Sequence, residues 1–289
     1  MKKIIIIFLL TYSIGFSQWN LWDGKAVSKT DSTWQYDSVS LAYFGKMTVQ
    51  LPDSVKQKID FIIRYFKTTK CSVYNTTDTY SDTTIFQRYD HFWFTCLNDS
   101  NNAKIDVKGT KNLVNKGNAF TQWKGWYGHA GANYISTGYI PETDAVNYQL
   151  NYASYQCYIS TMTDVTGNQR LWVNFPYAGT HSSSYIWSAD AVTNYLNGKY
   201  HATAAVLATL QYKMITVSRT NAKLNYFLSN TLLESVMYDA SDGVTETEIV
   251  IGFNTDALIG YFAIGGNFTI KDVANINAVI IPFMQWLGN

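Results

Sequence analysis

Charge is scarce in this chain. Only 15 % of its 289 residues are Asp, Glu, Lys or Arg, and the signs nearly cancel, 22 basic against 21 acidic. Without a basic excess nothing is available to hold a phosphate backbone, so nucleic acid is not an expected partner. Proline is rare too: four Pro and 18 Gly exclude collagen-like and Pro-rich fibres. The three cysteines are an odd number, which excludes a fully paired disulfide scaffold. The four histidines, His91, His129, His181 and His201, are far apart. No CxxC or HExxH spacing accompanies them, so no metal and no cofactor is expected. A P-loop and a GxSxG nucleophile elbow are also absent. What the chain has in quantity is apolar and aromatic: 47 % hydrophobic residues, with 22 Tyr, 15 Phe and 9 Trp. Such a composition excludes a disordered tail, and the length allows one large domain or two modest ones.

Long apolar runs are confined to the start. In MKKIIIIFLLTYSIGFS, Lys2 and Lys3 precede an unbroken apolar run from Ile4 to Leu10. Gly15 and Ser17 supply small residues at positions −3 and −1 of a cut after Ser17. This is a signal-peptide pattern over 1–17, and it predicts an exported protein: periplasmic, secreted or on the cell surface. The run is short of the roughly 20 residues that a membrane helix needs. Residues 273–287 are the most apolar later stretch, but Asn275, Asn277, Pro282 and Gln285 interrupt them. They read as a packed helix.

Residues 18–103 form a lead-in. Its first part reads as irregular, with a short strand among residues 38–49. A helix is predicted over 53–67, capped by Asp53 or Ser54, because Val55, Ile59, Ile62, Ile63 and Phe66 recur at helical spacing. Packing on a core accounts for that stripe. A peripheral membrane helix would want a denser basic face, so membrane contact is not expected. In YDHFWFTCLND, residues 89–99, the aromatics read as a buried turn of chain. His91 beside Asp90 reads as a structural hydrogen bonder. From 104 the character changes to short apolar pieces separated by Gly and Asn. Alternation marks strands near 154–162, 169–175, 183–187, 213–219, 223–228, 248–253 and 258–264. A helix over 271–287 closes the chain, with Thr269 and Asp272 as a capping box and Pro282 as a kink or restart. Residues 104–289 therefore read as one mostly β domain, a sandwich bracketed by two helices, with the lead-in packed on it.

Candidate chemistry is sparse. Glu246 and Glu248 have the i, i+2 spacing of two acids on one strand face, which a glycosidase would use, but they read as acids at a hairpin end. Asp239, Asp242 and Asp144 lie in turn sequences. Cys71 and Cys96 bracket a loop-like stretch and are the pair placed to bridge in an oxidising compartment; three buried thiols, Cys157 included, are the alternative. The aromatic surplus offers the remaining material. Trp123, Trp126 and Tyr127 cluster in WKGWYG, and Tyr185 and Trp187 in SSSYIWS. Flat rings among Asn and Thr suit a glycan site, and buried rings are the alternative.

A resemblance adds to this reading. The phrase NYISTGYIP, Asn133 to Pro141, with Gly125, Gly128 and Gly131 before it, resembles a group of phage and prophage proteins that carry a concanavalin-like, laminin-G-like jelly-roll domain. The helix PDSVKQKIDFIIRYFK, the strand pair in MITVSRTNAKLNYFLSN and the close IGFNTDALIGYFAIGG resemble the same group over roughly 43–289. Asn230 is followed by Thr231 where the group has Gly, and the acidic strand of concanavalin-like glycosidases is not recognisable. The resemblance implies a concanavalin-like jelly-roll β-sandwich. It implies a non-catalytic binding or structural module, with a glycan or a cell-surface protein as partner and self-association as an option. The alternatives are a tail- or fibre-like protein making only protein contacts and a secreted glycan-cleaving hydrolase. Its origin, host or prophage, stays open.

Overall fold

The computed structural model describes residues 34–72, 83–128, 133–162, 169–175, 183–188, 191–197, 199–203, 210–220, 223–237, 243–253 and 255–288. The stretch 1–17 read above as a signal peptide, His129, His181, Asp239 and Asp242 lie outside them, as do the side chains of Tyr185, Trp187 and His201. The chain divides into two units between Tyr36 and Asp37, and the architecture below is that of the second.

Helices come first: α1 (Ser38–Gly45), α2 (Asp53–Thr68) and a single turn α3 (Ile85–Arg88). Strands β1 (Tyr89–Phe94), β2 (Val114–Lys116), β3 (Ala119–Thr121), β4 (Gly125–Gly128) and β5 (Tyr134–Ser136) lead to a second helical turn, α4 (Pro141–Asp144). Long strands follow: β6 (Tyr152–Met162), β7 (Gln169–Phe175), β8 (Ser183–Ser188), β9 (Ala191–Leu196), β10 (Lys199–Thr203), β11 (Lys213–Thr220), β12 (Lys223–Leu228), β13 (Thr231–Met237), β14 (Glu248–Phe253) and β15 (Thr255–Gly265). Helix α5 (Ile270–Trp286) ends the chain.

The strands make two antiparallel sheets. One has the order β13-β12-β11-β6-β15-β4-β3, with β1 added beside β15; the other has the order β10-β9-β8-β7-β14-β5-β2. Strand β15 is long enough to take two partners on one edge, β4 along Thr255–Ile259 and β1 along Tyr261–Gly265. Tyr155 of β6 and Phe262 of β15 meet Trp172 of β7 at ring separations of 5.5 and 6.1 Å, so the sheets face each other across an aromatic core. Each such buried side chain contributes roughly 1.5–3 kcal/mol. The opposite face of the larger sheet is covered by helices: Phe66 of α2 meets Tyr89 and Phe92, and Phe283 of α5 meets Phe94. Strands β6 and β15 are therefore buried on both faces, which is why Tyr158 and Tyr261 are buried like Tyr155 and Phe262.

Several local expectations change. Residues 38–45 are helical rather than irregular or extended. Asp37 caps α1 through Val39 N–H at 2.9 Å, and its carboxylate is held by Lys67 at 2.7 Å. Helix α2 has Pro52 at its N-cap position, with no side-chain cap from Asp53 or Ser54. The stretch 89–94 is a strand, not a turn of chain, so part of the lead-in belongs to the sheet. Helix α5 has the expected capping box and runs on through Pro282 to Trp286. In the β12–β13 turn Ser229 takes φ 51°, and Asn277 of α5 donates to its carbonyl at 2.7 Å.

The Cys71–Cys96 bridge is not present. Cys71, Cys96 and Cys157 are all buried thiols outside any disulfide. Cys96 lies against Met284 of α5, Sγ to Sδ 3.4 Å, while Cys71 follows α2 and bonds backbone-to-backbone with Thr83. Burial pushes the Cys96 thiol up to about 12.

Candidate functional site

A cleft of about 470 Å³ opens beside the first residues of β1. That size lies within the roughly 300–1,000 Å³ of small-molecule sites. Its polar lining comes from Gln87, Asp90, His91, Lys108, Thr110, Lys111, Asp144 and Asn147. None of these stands in a recognisable motif, because three separate segments, 87–91, 108–111 and 144–147, bring them together.

The site begins with a bulge. The pairing of β1 with β15 slips between Tyr89 and His91, and Asp90 is the extra residue. Bulges re-aim side chains, and here the bulge lets Asp90 anchor the 145–148 loop. One Asp90 oxygen accepts from Asn147 N–H (2.7 Å) and Asn147 Nδ2 (2.9 Å). The other accepts from Tyr148 N–H (3.0 Å) and the Tyr139 hydroxyl (2.8 Å). Burial, then the neighbouring Asp90, pushes the Tyr139 phenol well up, so it stays a donor.

The opposite wall is the turn DVKGTK, organised by buried Asp106. Its carboxylate accepts from the N–H groups of Lys108 (3.0 Å), Thr110 (3.1 Å) and Lys111 (3.2 Å). Gly109 takes φ +86°, a conformation open to Gly at no steric cost. The turn is tied to β1 by Val107 N–H to the Phe92 carbonyl and by Trp93 Nε1–H to the Lys111 carbonyl at 2.8 Å. His91 Nδ1 lies 2.8 Å from the Asp106 carboxylate, its ring stacked on Trp93 and edge-on to Tyr139. Asp106 thus fixes which edge of the imidazole is committed, and Nε2 is the remaining one.

The cleft's charges are differently committed. Lys111 pairs with Asp144 at 3.1 Å, and Asp144 also accepts from Ile140 N–H at 2.8 Å. Partial burial raises the Asp144 carboxyl, but Ile140, Lys111 and His91 together hold it below its ordinary value. Lys108 is half-buried, donates to the Phe86 carbonyl at 2.9 Å and lies 4.4 Å from the Phe86 ring centroid. Burial lowers its ammonium pKa, against the pull of Asp90 and Asp106.

The ring candidates do not form this site. Trp126 is only 4 % exposed and packs on Phe120 at 4.8 Å. It lines a core void of about 10 Å³ with Leu113, Ile135 and Ile251, too small for a sugar ring. Trp126 is therefore a core side chain and not a binding platform: successive strand residues point to opposite faces, and the sandwich takes this one. Trp123, at φ 62°, and Tyr127 remain half-buried. Tyr185 and Trp187 lie on β8, in the other sheet from β4, and their side chains are outside the described residues. Glu248 opens β14 instead of lying in a turn, and it ties that strand to β5 through the Ser136 hydroxyl and Gly138 N–H. Glu246 is exposed. Among the described residues no cluster of His, Cys, Asp or Glu suits a metal, and no helix is long and apolar enough to cross a membrane.

No protein-family model matches the chain, and no curated protein matches it. Solved structures do match at the level of fold. Trypanosoma rangeli sialidase in complex with sialic acid matches with TM-score 0.51 and 7 % identity, over 78 % of this chain and 38 % of that one. The botulinum neurotoxin serotype D binding domain matches with TM-score 0.50 and 13 % identity, over 66 % and 50 %. A structure reported for ganglioside-dependent cell entry of botulinum neurotoxin type C matches with TM-score 0.50 and 12 % identity, over 68 % and 53 %. This chain thus spans about half or less of each, and the likeness is that of a β-sandwich fold.

Proposed function

We propose that this is an exported, non-catalytic β-sandwich binding protein of the concanavalin-like type, with a glycan held in the cleft beside β1. The observation that supports this reading is the commitment of the cleft's carboxylates. Asp90 has both oxygens engaged by loop donors, and Asp144 is ion-paired and held low, so neither is a protonated acid poised to donate. Glycoside hydrolysis asks for one such acid and a second carboxylate across the bond. Hydroxyl, amide, imidazole and ammonium groups around an open volume suit a polyol instead. Two of the fold's solved examples are named for glycan ligands, sialic acid and gangliosides, which agrees with this role without assigning it.

A glycan array on the full chain tests the reading, alongside Lys111→Ala and Gln87→Ala, which alter the cleft rim. Binding that the rim variants lose supports it. Binding that survives them and fails in Tyr127→Ala moves the site to the WKGWYG cluster. Cleavage of a bound glycan overturns the non-catalytic assignment. No binding, together with concentration-dependent self-association, favours the prophage-type structural protein.

A further inference from the structure

We infer that the cleft's ligand is an acidic sugar, its carboxylate received by Lys108 and a hydroxyl by His91; this rests on the glycan reading above. The two lysines of the cleft are not equivalent. Lys111 has its carboxylate in Asp144, at 3.1 Å. Among the described residues Lys108 has none within ion-pair distance: its ammonium meets one carbonyl and the face of a phenyl ring, in a half-buried place that costs it hydration. Desolvated ammonium groups are retained where something anionic completes them. Asp90 and Asp106 pull on the Lys108 ammonium from beyond that distance, but neither bonds it: Asp90 is engaged by four hydrogen bonds and Asp106 by the turn it organises.

His91 supplies the second half of the argument. The Nδ1 edge of His91 is committed to Asp106 and Thr110, and among the described residues no group bonds Nε2; with the proton on Nδ1, Nε2 is an acceptor. An acceptor and an ammonium that no carboxylate bonds, lining one cleft, match a molecule that carries both O–H donors and a carboxylate. Neutral hexoses lack the second, and simple carboxylates such as acetate lack the first. Uronic acids and sialic acids have both.

Calorimetric titration of the full chain with galacturonic acid, its methyl ester, galactose, N-acetylneuraminic acid and acetate tests this. A charge-assisted hydrogen bond predicts about 10- to 100-fold tighter binding of an acid than of its uncharged counterpart. Which acid binds tighter separates the uronic from the sialic source. Lys108→Met should abolish the preference, and Lys108→Arg should keep most of it. Equal affinity for galacturonic acid, its ester and galactose overturns this inference and leaves the glycan reading standing. Acetate binding as tightly as the acids reduces the site to an anion site and overturns it too. No binding of any sugar overturns both. The ester comparison uses the unaltered protein, so the result does not depend on how the variants fold.

Discussion

Replacing Asp106 by Ala removes the centre of the cleft's wall, and the structure gives the size of the effect. Three backbone N–H groups and one imidazole lose their acceptor. The turn donors belong to residues that reach solvent, so water takes over and each costs about 0.5 kcal/mol. His91 is buried, and its Nδ1 is left with only the Thr110 hydroxyl at 3.3 Å, which costs about 1–3 kcal/mol. Part of this is returned because a fully buried carboxylate no longer has to be desolvated. The expected loss is about 2–4 kcal/mol. For a domain of this size it lowers the melting temperature by about 5–15 °C. Calorimetry reads the melting shift, and amide exchange reads the locus: the N–H groups of Lys108, Thr110 and Lys111 should exchange much faster while β6 and β15 stay protected. A melting temperature within about 2 °C of the parent, with unchanged exchange at these three amides, would refute the reasoning.

Trp126→Ala should cost about 3–5 kcal/mol as a core truncation, measured by urea unfolding; an unchanged midpoint would return this ring to the surface. The three thiols should resist Ellman's reagent in the native protein and all react in guanidinium, whereas a Cys71–Cys96 bridge would leave a single reactive thiol. Asp37 and Asp144 are held below 3.8 despite burial, Asp37 by Lys67 and the Val39 N–H. A depressed folded-state value stabilises above the ordinary carboxylate range and is lost as pH falls through it, so thermal stability should drop below about pH 4. Asp37→Asn should flatten that drop, and an unchanged acid limb would show that its pairing with Lys67 is not involved.

The strands of the second half were legible because each has a clear period of two and ends in turn residues. The bounds 169–175, 223–228 and 248–253 coincide with β7, β12 and β14. Strand β1 was not legible. YDHFWF has no alternation, because His91 and Trp93 face the sandwich while Phe92 and Phe94 face the helices. Helix α1 was hidden for a related reason: eight residues with only Ser40, Tyr43 and Phe44 buried give too short a stripe. The cleft depends on contacts between residues up to 60 apart, as Asn147 with Gln87 illustrates, and no local spacing encodes those. The signal that was present is the turn DVKGTK: an Asp three residues before Gly is a mark of side-chain-to-backbone bonding, and Asp106 uses it. Trp126 followed by Tyr127 carried a second signal, since adjacent rings on a strand cannot both face outward.

The shared edge of β15 has a consequence for how the chain is made. Strand β1 pairs with β15, roughly 170 residues later in the sequence. At a synthesis rate of about 5–20 residues per second, Phe92, Trp93 and Phe94 wait about ten to thirty seconds for β15 to emerge. Helix α2 is already available in that interval and offers Phe66 to Phe92, a local holding contact that covers one face of the waiting strand. The other face, with Trp93, stays open until Phe262 arrives, so this non-local pairing forms late in synthesis.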